Sequence, residues 1–449
     1  MLKPSQFTIT TSINDTEVAV YNTLTNAFAI LESGLWQTYE ADGTWETHPH
    51  VEDLTEYGFL VPADVDEYQT FLLNRNKVKF YSGHLTFTVL TTFACNLACK
   101  YCMQSPVRLE HRAETDAVAD DMSALSTAEF IKKVVGEYQP NEITLTYFGG
   151  EPLANIEAIA TLHNLLKEVL PAKTQLNQMA ITNGVLVPRY IDRLCQIGVS
   201  TLQITLDGPR QIHDTRRVGI GGAGTFDKVV AGISAALEAG IFVAIHTVID
   251  SHNASYIREL AQFLRQRFDK YLDRLAVNVG LASNPGWDSQ HCALYISDSH
   301  PTAMEFVQAV ESVLSEGLQI IDFLISSPCP RERDNEFIIA PDGGLYKCIS
   351  AVGRDSFNVG NIQDAPLTIA RRSAPLINFG APVDECRRCP YLPYCNGGCR
   401  FNAWVRTGDI FSLDCWKEFH AASLPALLRL YGQAEATSYP HIRRKVREA

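Results

Sequence analysis

Between residue 84 and about residue 285, short apolar runs alternate with longer stretches of helical periodicity. The runs Leu85 to Thr91, Ile143 to Phe148, Gln178 to Thr182, Thr201 to Leu206, Phe242 to Thr247 and Arg274 to Gly280 are rich in β-branched and aromatic residues, which predicts buried strands. The intervening stretches Ser126 to Tyr138, Ile156 to Leu170, Pro188 to Ile197, Phe226 to Ala239 and Ala254 to Phe268 predict helices. Six such units imply an α/β fold, a parallel sheet with its helices outside, curled by right-handed crossovers into a partial (β/α)6 barrel of the TIM type. Chemistry then belongs at the C-terminal ends of the strands.

Residues 1–80 form a separate preface. Phe7 to Thr11 and Glu17 to Tyr21 alternate in polarity around the turn-prone Asn14-Asp15 and predict a hairpin. A helix from His50 to Tyr57, a strand Phe59 to Pro62 and a charged helix from Ala63 to Lys77 follow, an order compatible with a winged-helix-like module. After a further helix at 300–320, cysteine, glycine and proline dominate from Cys329 to Cys415, and Trp416 to Tyr431 predicts a last helix. The expected division is therefore 1–80, 84–320, 321–432 and a tail at 433–449, whose Arg443-Arg444-Lys445-Val446-Arg447 is a solvated run.

A length of 449 residues suits two or three domains. The formal charge of −13, from 51 acidic and 38 basic residues, argues against nucleic acid as a partner. No basic head with an apolar core opens the chain and no run approaches a membrane span, so a soluble, cytoplasmic protein is expected. Of the twelve cysteines, three lie at 95–102 and seven between 329 and 415, a grouping that points to metal rather than disulfides. Cys195 falls in an amphipathic helical stretch and reads as an ordinary buried cysteine, and Cys292 stands outside any pattern.

The first group, Cys95-x3-Cys99-x2-Cys102, follows the first barrel strand. Three thiolates this close can hold three corners of a 4Fe-4S cluster and leave the fourth iron open. A structural zinc site is the alternative, but His111 is the one further histidine or cysteine in the next twenty residues. With an aromatic residue, Tyr101, before the last cysteine, the loop resembles that of the radical S-adenosylmethionine (AdoMet) enzymes. The resemblance implies that the open iron chelates AdoMet and that its reductive cleavage gives a 5′-deoxyadenosyl radical. It also implies a six-unit open barrel. The acidic stretch Met103 to Ser123 is then expected to be a mobile loop beside the cluster.

Gly149-Gly150-Glu151-Pro152 directly follows the second strand. Two glycines permit a close backbone approach to a ligand, and a carboxylate can accept from an ammonium group. The segment is similar to the superfamily motif that holds the AdoMet amino group. Thr205-Leu206-Asp207-Gly208-Pro209 and His213-Asp214-Thr215-Arg216-Arg217 resemble its DGP-x3-HD-x2-R segment. That resemblance puts Thr205 and Asp207 on the ribose side and gives Arg217 the AdoMet carboxylate, with Arg216 as in-register competitor. Asp207 capping a turn beside surface arginines is the plainer alternative. Asn183-Gly184 is a weaker signal that serves a turn.

Cys329-x13-Gly343-x4-Cys348, Cys386-x2-Cys389-x5-Cys395-x3-Cys399 and Cys415 are too regular for core packing, and seven thiolates are too many for one zinc ribbon. The array resembles the SPASM extension of peptide and protein maturases, which carries two auxiliary 4Fe-4S clusters. The resemblance gives Cys386, Cys389, Cys395 and Cys415 to the outer cluster and Cys329, Cys348 and Cys399 to the inner one. Its fourth iron is left open or met by Asp334, Asn335 or Glu336.

These features imply three clusters and AdoMet, a reducing compartment, and an external one-electron reductant such as flavodoxin or ferredoxin. The expected enzyme is a radical maturase that cross-links a ribosomally made precursor peptide, through a thioether or carbon–carbon bond, with the leader recognised by the preface. A sulfatase-type maturase is the alternative. In that family an aspartate following the cysteine of the G-x4-C segment acts as base, whereas Ile349 stands here. An electron carrier or cluster scaffold would have no use for the GGEP and DGP segments.

Overall fold

The computed structural model describes residues 1–104, 121–282, 299–321, 324, 328–377 and 384–433. Most of the stretch Met103 to Ser123, together with His111, Cys292 and the tail from 434, lies outside the described residues.

The preface comprises β1 (Leu2–Pro4), β2 (Thr8–Ser12), β3 (Glu17–Asn22), β4 (Ala27–Glu32), helices Ser33–Asp42 and Val51–Glu56, β5 (Leu60–Pro62) and helix Glu67–Lys79. The expected hairpin is present as β2 and β3, and β4 extends it into an antiparallel meander. β1 pairs with β5. The strand β4 and helix Ser33–Asp42 went unforeseen, because Ala27-Phe28-Ala29-Ile30-Leu31 is a plain apolar run that fits a strand or a buried helix equally. Helix Glu67–Lys79 starts at Asp66, whose side chain accepts from the backbone N–H groups of Tyr68 and Gln69, later than the expected Ala63.

The barrel strands follow: β6 (His84–Leu90), β7 (Glu142–Phe148), β8 (Gln175–Thr182), β9 (Val199–Thr205), β10 (Phe242–Ile249), β11 (Leu275–Leu281) and the short β12 (Gln319–Ile320). All are parallel neighbours in chain order, with helices such as Asp121–Tyr138, Ile156–Val169 and Phe226–Glu238 in the crossovers. Apolar residues from sheet and helices merge into one core around Phe87, Leu145, Leu202, Ile245 and Ile233. Cys195 is exposed rather than buried, because helix Val187–Ile197 turns Val187, Leu194 and Ile197 inward instead.

The sheet does not stop at the expected boundary near residue 320. β13 (Glu336–Ile339) pairs in parallel with β6, and β14 (Gly344–Tyr346) and β15 (Asn358–Asn361) continue antiparallel, making ten strands. Gly343 has φ +80°, the left-handed conformation that closes the β13–β14 turn. That turn delivers Cys348 just beyond β14, so the G-x4-C spacing reflects hairpin geometry.

The preface is seated on the C-terminal region. Phe7, Phe71 and Leu392 pack together with Cys386 and Cys389 at their margin. Thr23 Oγ1 donates to the Pro390 carbonyl (2.7 Å) and Gln6 Nε2 to that of Arg387 (3.0 Å). The last helix, Lys417–Gln433, lies against β2 and β3, burying Leu424 and Leu428 on Tyr21 and Phe28.

Candidate active site

The cysteine loop after β6 is held by backbone hydrogen bonds to the segment that ends helix Arg210–Arg216 and to the end of β7. Ala98 N–H donates to the Val218 carbonyl (2.8 Å) and Lys100 N–H to that of Arg216 (3.1 Å). From the end of β7, Gly150 N–H donates to the Thr92 carbonyl and Glu151 N–H to that of Ala94, both at 2.9 Å. A Cβ on Gly149 would stand 2.3 Å from the Thr92 oxygen, and one on Gly150 2.3 Å from that of Ala94. The close approach these glycines permit is therefore to the cysteine loop itself, whereas the sequence points to a ligand. Pro152 begins a short 3-10 turn and its carbonyl accepts from Thr91 Oγ1 (3.2 Å).

Glu151 is fully buried. One carboxylate oxygen accepts from Thr182 Oγ1 (2.6 Å) and Leu153 N–H (3.1 Å), the other from Asn183 N–H (2.8 Å). Burial pushes its carboxyl up, against the opposing pull of these donors and of Arg217. Asn183 also donates to the Asn96 side chain (2.7 Å), so the Asn-Gly pair after β8 ties Glu151 to the cysteine loop as well as making a turn.

Tyr101 is enclosed by charge. Its hydroxyl donates to Asp207 and accepts from Arg217 Nη1 (2.8 Å), and the Arg216 guanidinium lies 4.9 Å from its ring centre. Burial, first, and the Asp207 carboxylate push the hydroxyl well up, so it remains a donor. Asp207 is completely buried, its other oxygen accepting from Val248 N–H (3.1 Å). Its carboxylate is thus engaged by protein rather than left free for a ribose, while Thr205 is the last residue of β9.

The two arginines separate clearly. Arg216 Nη1 is bound to Asp250 (2.6 Å) and its Nη2 donates to the Val248 carbonyl (3.1 Å). Arg216 Nε makes no hydrogen bond but faces the Asp207 carboxylate at 3.5 Å, whereas Arg217 Nε is buried with no hydrogen-bond partner.

His213 locks this corner. Asp207 N–H donates to its Nδ1 (3.3 Å), which leaves the proton on Nε2 for Thr225 Oγ1 (3.1 Å), and Thr225 donates in turn to the Arg217 carbonyl (2.6 Å). Burial, reinforced by Arg217, lowers the imidazole from 6.5 to about 4. A depressed histidine stabilises the fold above its unfolded value and loses that contribution as pH falls through 6.5 towards 4. His213→Gln, which keeps an acceptor and a donor, is expected to lose roughly 2 kcal/mol less than wild type between pH 7.5 and pH 5. Urea midpoints at the two pH values measure this, and equal acid losses in the two proteins would refute it.

His246 on β10 is a site residue that the sequence did not disclose. It is the register partner of Thr205 and lies in the field of Asp207 and Arg217, its ring over Gly280, where a Cβ would approach to 2.6 Å. The signal was one polar ring within Phe242-Val243-Ala244-Ile245-His246-Thr247-Val248-Ile249.

The C-terminal cysteines fall into two groups. Cys386, Cys389, Cys395 and Cys415 line one cavity with Tyr391, Leu392, Gly397, Leu413 and Lys417. Cys329, Cys348 and Cys399 interact electrostatically with one another. Burial pushes the Cys348 thiol up to about 12 and Cys386 up to about 11, so binding metal there means displacing protons. Asp414 fixes the Cys399 turn by accepting from Cys399 N–H (3.1 Å) and Trp416 Nε1 (2.7 Å).

Among the described residues no three His, Cys, Asp or Glu side chains converge as around a single ion. A cubane spreads its thiolates farther, one to each iron. Of the side chains proposed to fill the inner gap, Asp334 and Glu336 are engaged elsewhere, and Asn335 is engaged through its Nδ2 while its Oδ1 is buried without a partner. Asp334 accepts from the Tyr138 hydroxyl, Glu336 pairs with Arg333 (2.7 Å), and Asn335 donates to the Tyr81 and His84 carbonyls (2.8 Å each).

A buried excess of positive charge adjoins the Cys329 group. Arg75, Lys79 (3.7 Å) and Arg400 (3.7 Å) surround the single carboxylate of Glu332, itself 1% exposed. Such an excess is costly unless an anion shares the site, and a thiolate-ligated cluster is anionic. The residues therefore fit the group.

Residues 89–264 match the family model of the Radical SAM superfamily. The cysteine-type anaerobic sulfatase-maturating enzyme of Clostridium perfringens is 21% identical over 366 residues, 75% of this chain and 95% of the relative. The mycofactocin maturase MftC of Mycobacterium tuberculosis is 25% identical over 330 residues, 69% of this chain and 76% of the relative. The structure of native anSMEcpe with bound AdoMet superposes with TM-score 0.63 at 20% identity, covering 78% of this chain and 99% of that one. Streptococcus suis SuiB bound to its precursor peptide SuiA gives 0.53 at 13% identity over 92% of this chain and 99% of that one. These structural likenesses establish the barrel fold. No helix among the described residues is long and apolar enough to cross a membrane. The matched region carries the cysteine loop and the segments that enclose it, so residues 89–264 are a domain similar to those of the Radical SAM superfamily.

Proposed function

We propose that the protein is a radical maturase of a ribosomally made precursor peptide, carrying three 4Fe-4S clusters and forming a thioether or carbon–carbon cross-link. The observation that carries this reading is the coexistence, in one chain, of the enclosed cysteine loop and two further thiol groups beneath a docked preface. Cys95, Cys99 and Cys102 would hold the first cluster, whose bound AdoMet supplies the 5′-deoxyadenosyl radical.

The chain's own residues position that cofactor. Glu151 presents a buried carboxylate for the ammonium, and Arg217 keeps an unpartnered Nε for the carboxylate, whereas Arg216 is spent on Asp250. Asp207 acts through Tyr101 and Arg216, leaving the ribose to Thr205. Gly149, Gly150 and Pro152 fix the loop to which Glu151 belongs.

MftC and SuiB, a peptide-bound relative, support a peptide substrate. The sulfatase maturases among the relatives favour a second reading, oxidation of a protein cysteine or serine. Against it, the residue after Cys348 is Ile349, half-buried against an apolar cluster of Phe93, Ile338 and Phe401, with no carboxylate at that position. A leader site in residues 1–80, a flavodoxin- or ferredoxin-type reductant, and an intracellular setting complete the proposal.

The reduced, reconstituted enzyme should be incubated with AdoMet and the small peptide encoded beside its gene. Mass spectrometry is expected to show loss of a pair of hydrogens without loss of sulfur. Replacement of a cysteine sulfur by oxygen, or loss of the hydrogen pair from a single serine that then reacts with a hydrazide as an aldehyde, would establish the sulfatase-type reaction instead.

For the leader site, deleting residues 1–80 would strip Phe7 and Phe71 from Leu392 beside Cys386 and Cys389, so truncation confounds recognition with packing. Hydrogen exchange avoids this. Adding the synthetic leader is expected to slow exchange by about tenfold at amides within β2 to β4, and protection confined to the barrel would refute the assignment.

A further inference from the structure

Arg331 lies two residues after Cys329, in the 3-10 turn Pro330–Glu332, with 1% of its surface exposed. Its Nε, Nη1 and Nη2 all lack a hydrogen-bond partner. Leaving so many charged donors unsatisfied in a dry site is among the costlier arrangements a protein can hold. Its neighbour Glu332 does not compensate, being already surrounded by Arg75, Lys79 and Arg400. What does share its field is the inner thiol group, since Arg331 is the largest charge acting on both Cys329 and Cys348.

We infer that Arg331 donates hydrogen bonds to the sulfurs of the inner auxiliary cluster and sets its reduction potential. The inference rests on the reading that Cys329, Cys348 and Cys399 hold a cluster. Each added electron makes that cluster more negative, so a fixed guanidinium stabilises the reduced form more than the oxidised one and raises the potential. An acceptor raised in this way can take the surplus electron when the substrate radical closes its new bond. Arginine suits the task because its charge is permanent and its planar fork reaches two sulfurs at once. Arg331 is thus a positioning and tuning residue that touches a relay.

The test is an EPR-monitored redox titration of the full-length, reconstituted protein, with the inner signal assigned by its loss in Cys348→Ala. Arg331→Gln is expected to lower the inner midpoint by at least a tenfold change in the one-electron equilibrium, 59 mV, while the outer signal stays in place. Arg331→Lys should recover part of the shift. An unchanged midpoint in Arg331→Gln would overturn the inference.

A second measurement covers the case in which Arg331→Gln builds no inner cluster. Wild-type protein labelled with guanidino-15N arginine should show a 15N coupling to the reduced inner cluster that disappears in Arg331→Lys. Absence of that coupling in wild type also overturns it. Wild-type protein with about eight irons and no inner signal would instead remove the underlying cluster reading, and the inference with it.

Discussion

Replacing Cys95, Cys99 and Cys102 together by alanine is expected to lower 5′-deoxyadenosine formation by about a thousandfold or more, while the protein still folds. The two halves of this expectation rest on different atoms. The anchors of the loop are main-chain: Ala98 to Val218, Lys100 to Arg216, and Glu151 to Ala94. None of them uses a thiol, so these segments should stay docked. The chemistry needs all three thiolates, because a cubane short of its protein ligands is lost to solvent. Iron should accordingly fall from about twelve to about eight atoms per chain, with the auxiliary signals retained. Chromatographic assay of 5′-deoxyadenosine from the dithionite-reduced variant measures the rate. Formation at the wild-type rate would show that another cluster cleaves AdoMet.

The order of strands and helices in the barrel was legible because parallel strands covered on both faces must be apolar runs, and their crossover helices must bury one stripe. Where a strand outruns its buried part, the reading stops short. Gln175, Leu176 and Asn177 extend β8 at its solvent end, opposite Glu142 to Thr144, and three such residues carry little apolar signal. The parallel pairing of β13 with β6 was invisible for another reason. It joins four residues separated by some 250 positions, and periodicity reports an element without naming its neighbour.

The site was legible to the extent that its chemistry is written in residue types. Cysteine spacing marked the thiol groups, and the resemblance of the segments after β7 and β9 to the family motifs marked Glu151 and Arg217. The physical role of some neighbours was not. The glycines of Gly149-Gly150 make room for the Thr92 and Ala94 carbonyls, and a sequence cannot distinguish room for a ligand from room for another loop. Asn183, His246 and Arg331 are ordinary polar residues until the fold shows what surrounds them. Arg331 in particular is one arginine in the charged run Arg331-Glu332-Arg333-Asp334, which reads as a solvated surface, yet both Arg331 and Glu332 are buried.

The inner auxiliary group makes the sharpest separation between cleaving AdoMet and completing a product. Cys348→Ala is expected to leave 5′-deoxyadenosine formation within about threefold of wild type and to reduce cross-linked peptide by about a hundredfold or more. Cys348 stands beyond β14, in an apolar surround that includes Phe93, Tyr346 and Phe401, whereas Tyr101 and Arg217 are bonded to each other and Glu151 to Thr182, Leu153 and Asn183. Loss of this thiolate therefore spares the AdoMet site and removes the acceptor through which a substrate radical would be oxidised. With Asp334 and Glu336 held elsewhere and Asn335 pinned through its Nδ2, three thiolates would leave one iron either open to a substrate cysteine or facing the unpartnered Asn335 Oδ1. If that iron binds sulfur, adding a cysteine-containing precursor to wild type should shift the inner EPR signal, and a Cys→Ser precursor should neither shift it nor be cross-linked. Cross-linking of the serine precursor with an unmoved signal would assign the inner cluster to electron transfer alone and the product to carbon–carbon coupling. Undiminished cross-linking by Cys348→Ala would exclude the inner cluster from the reaction altogether.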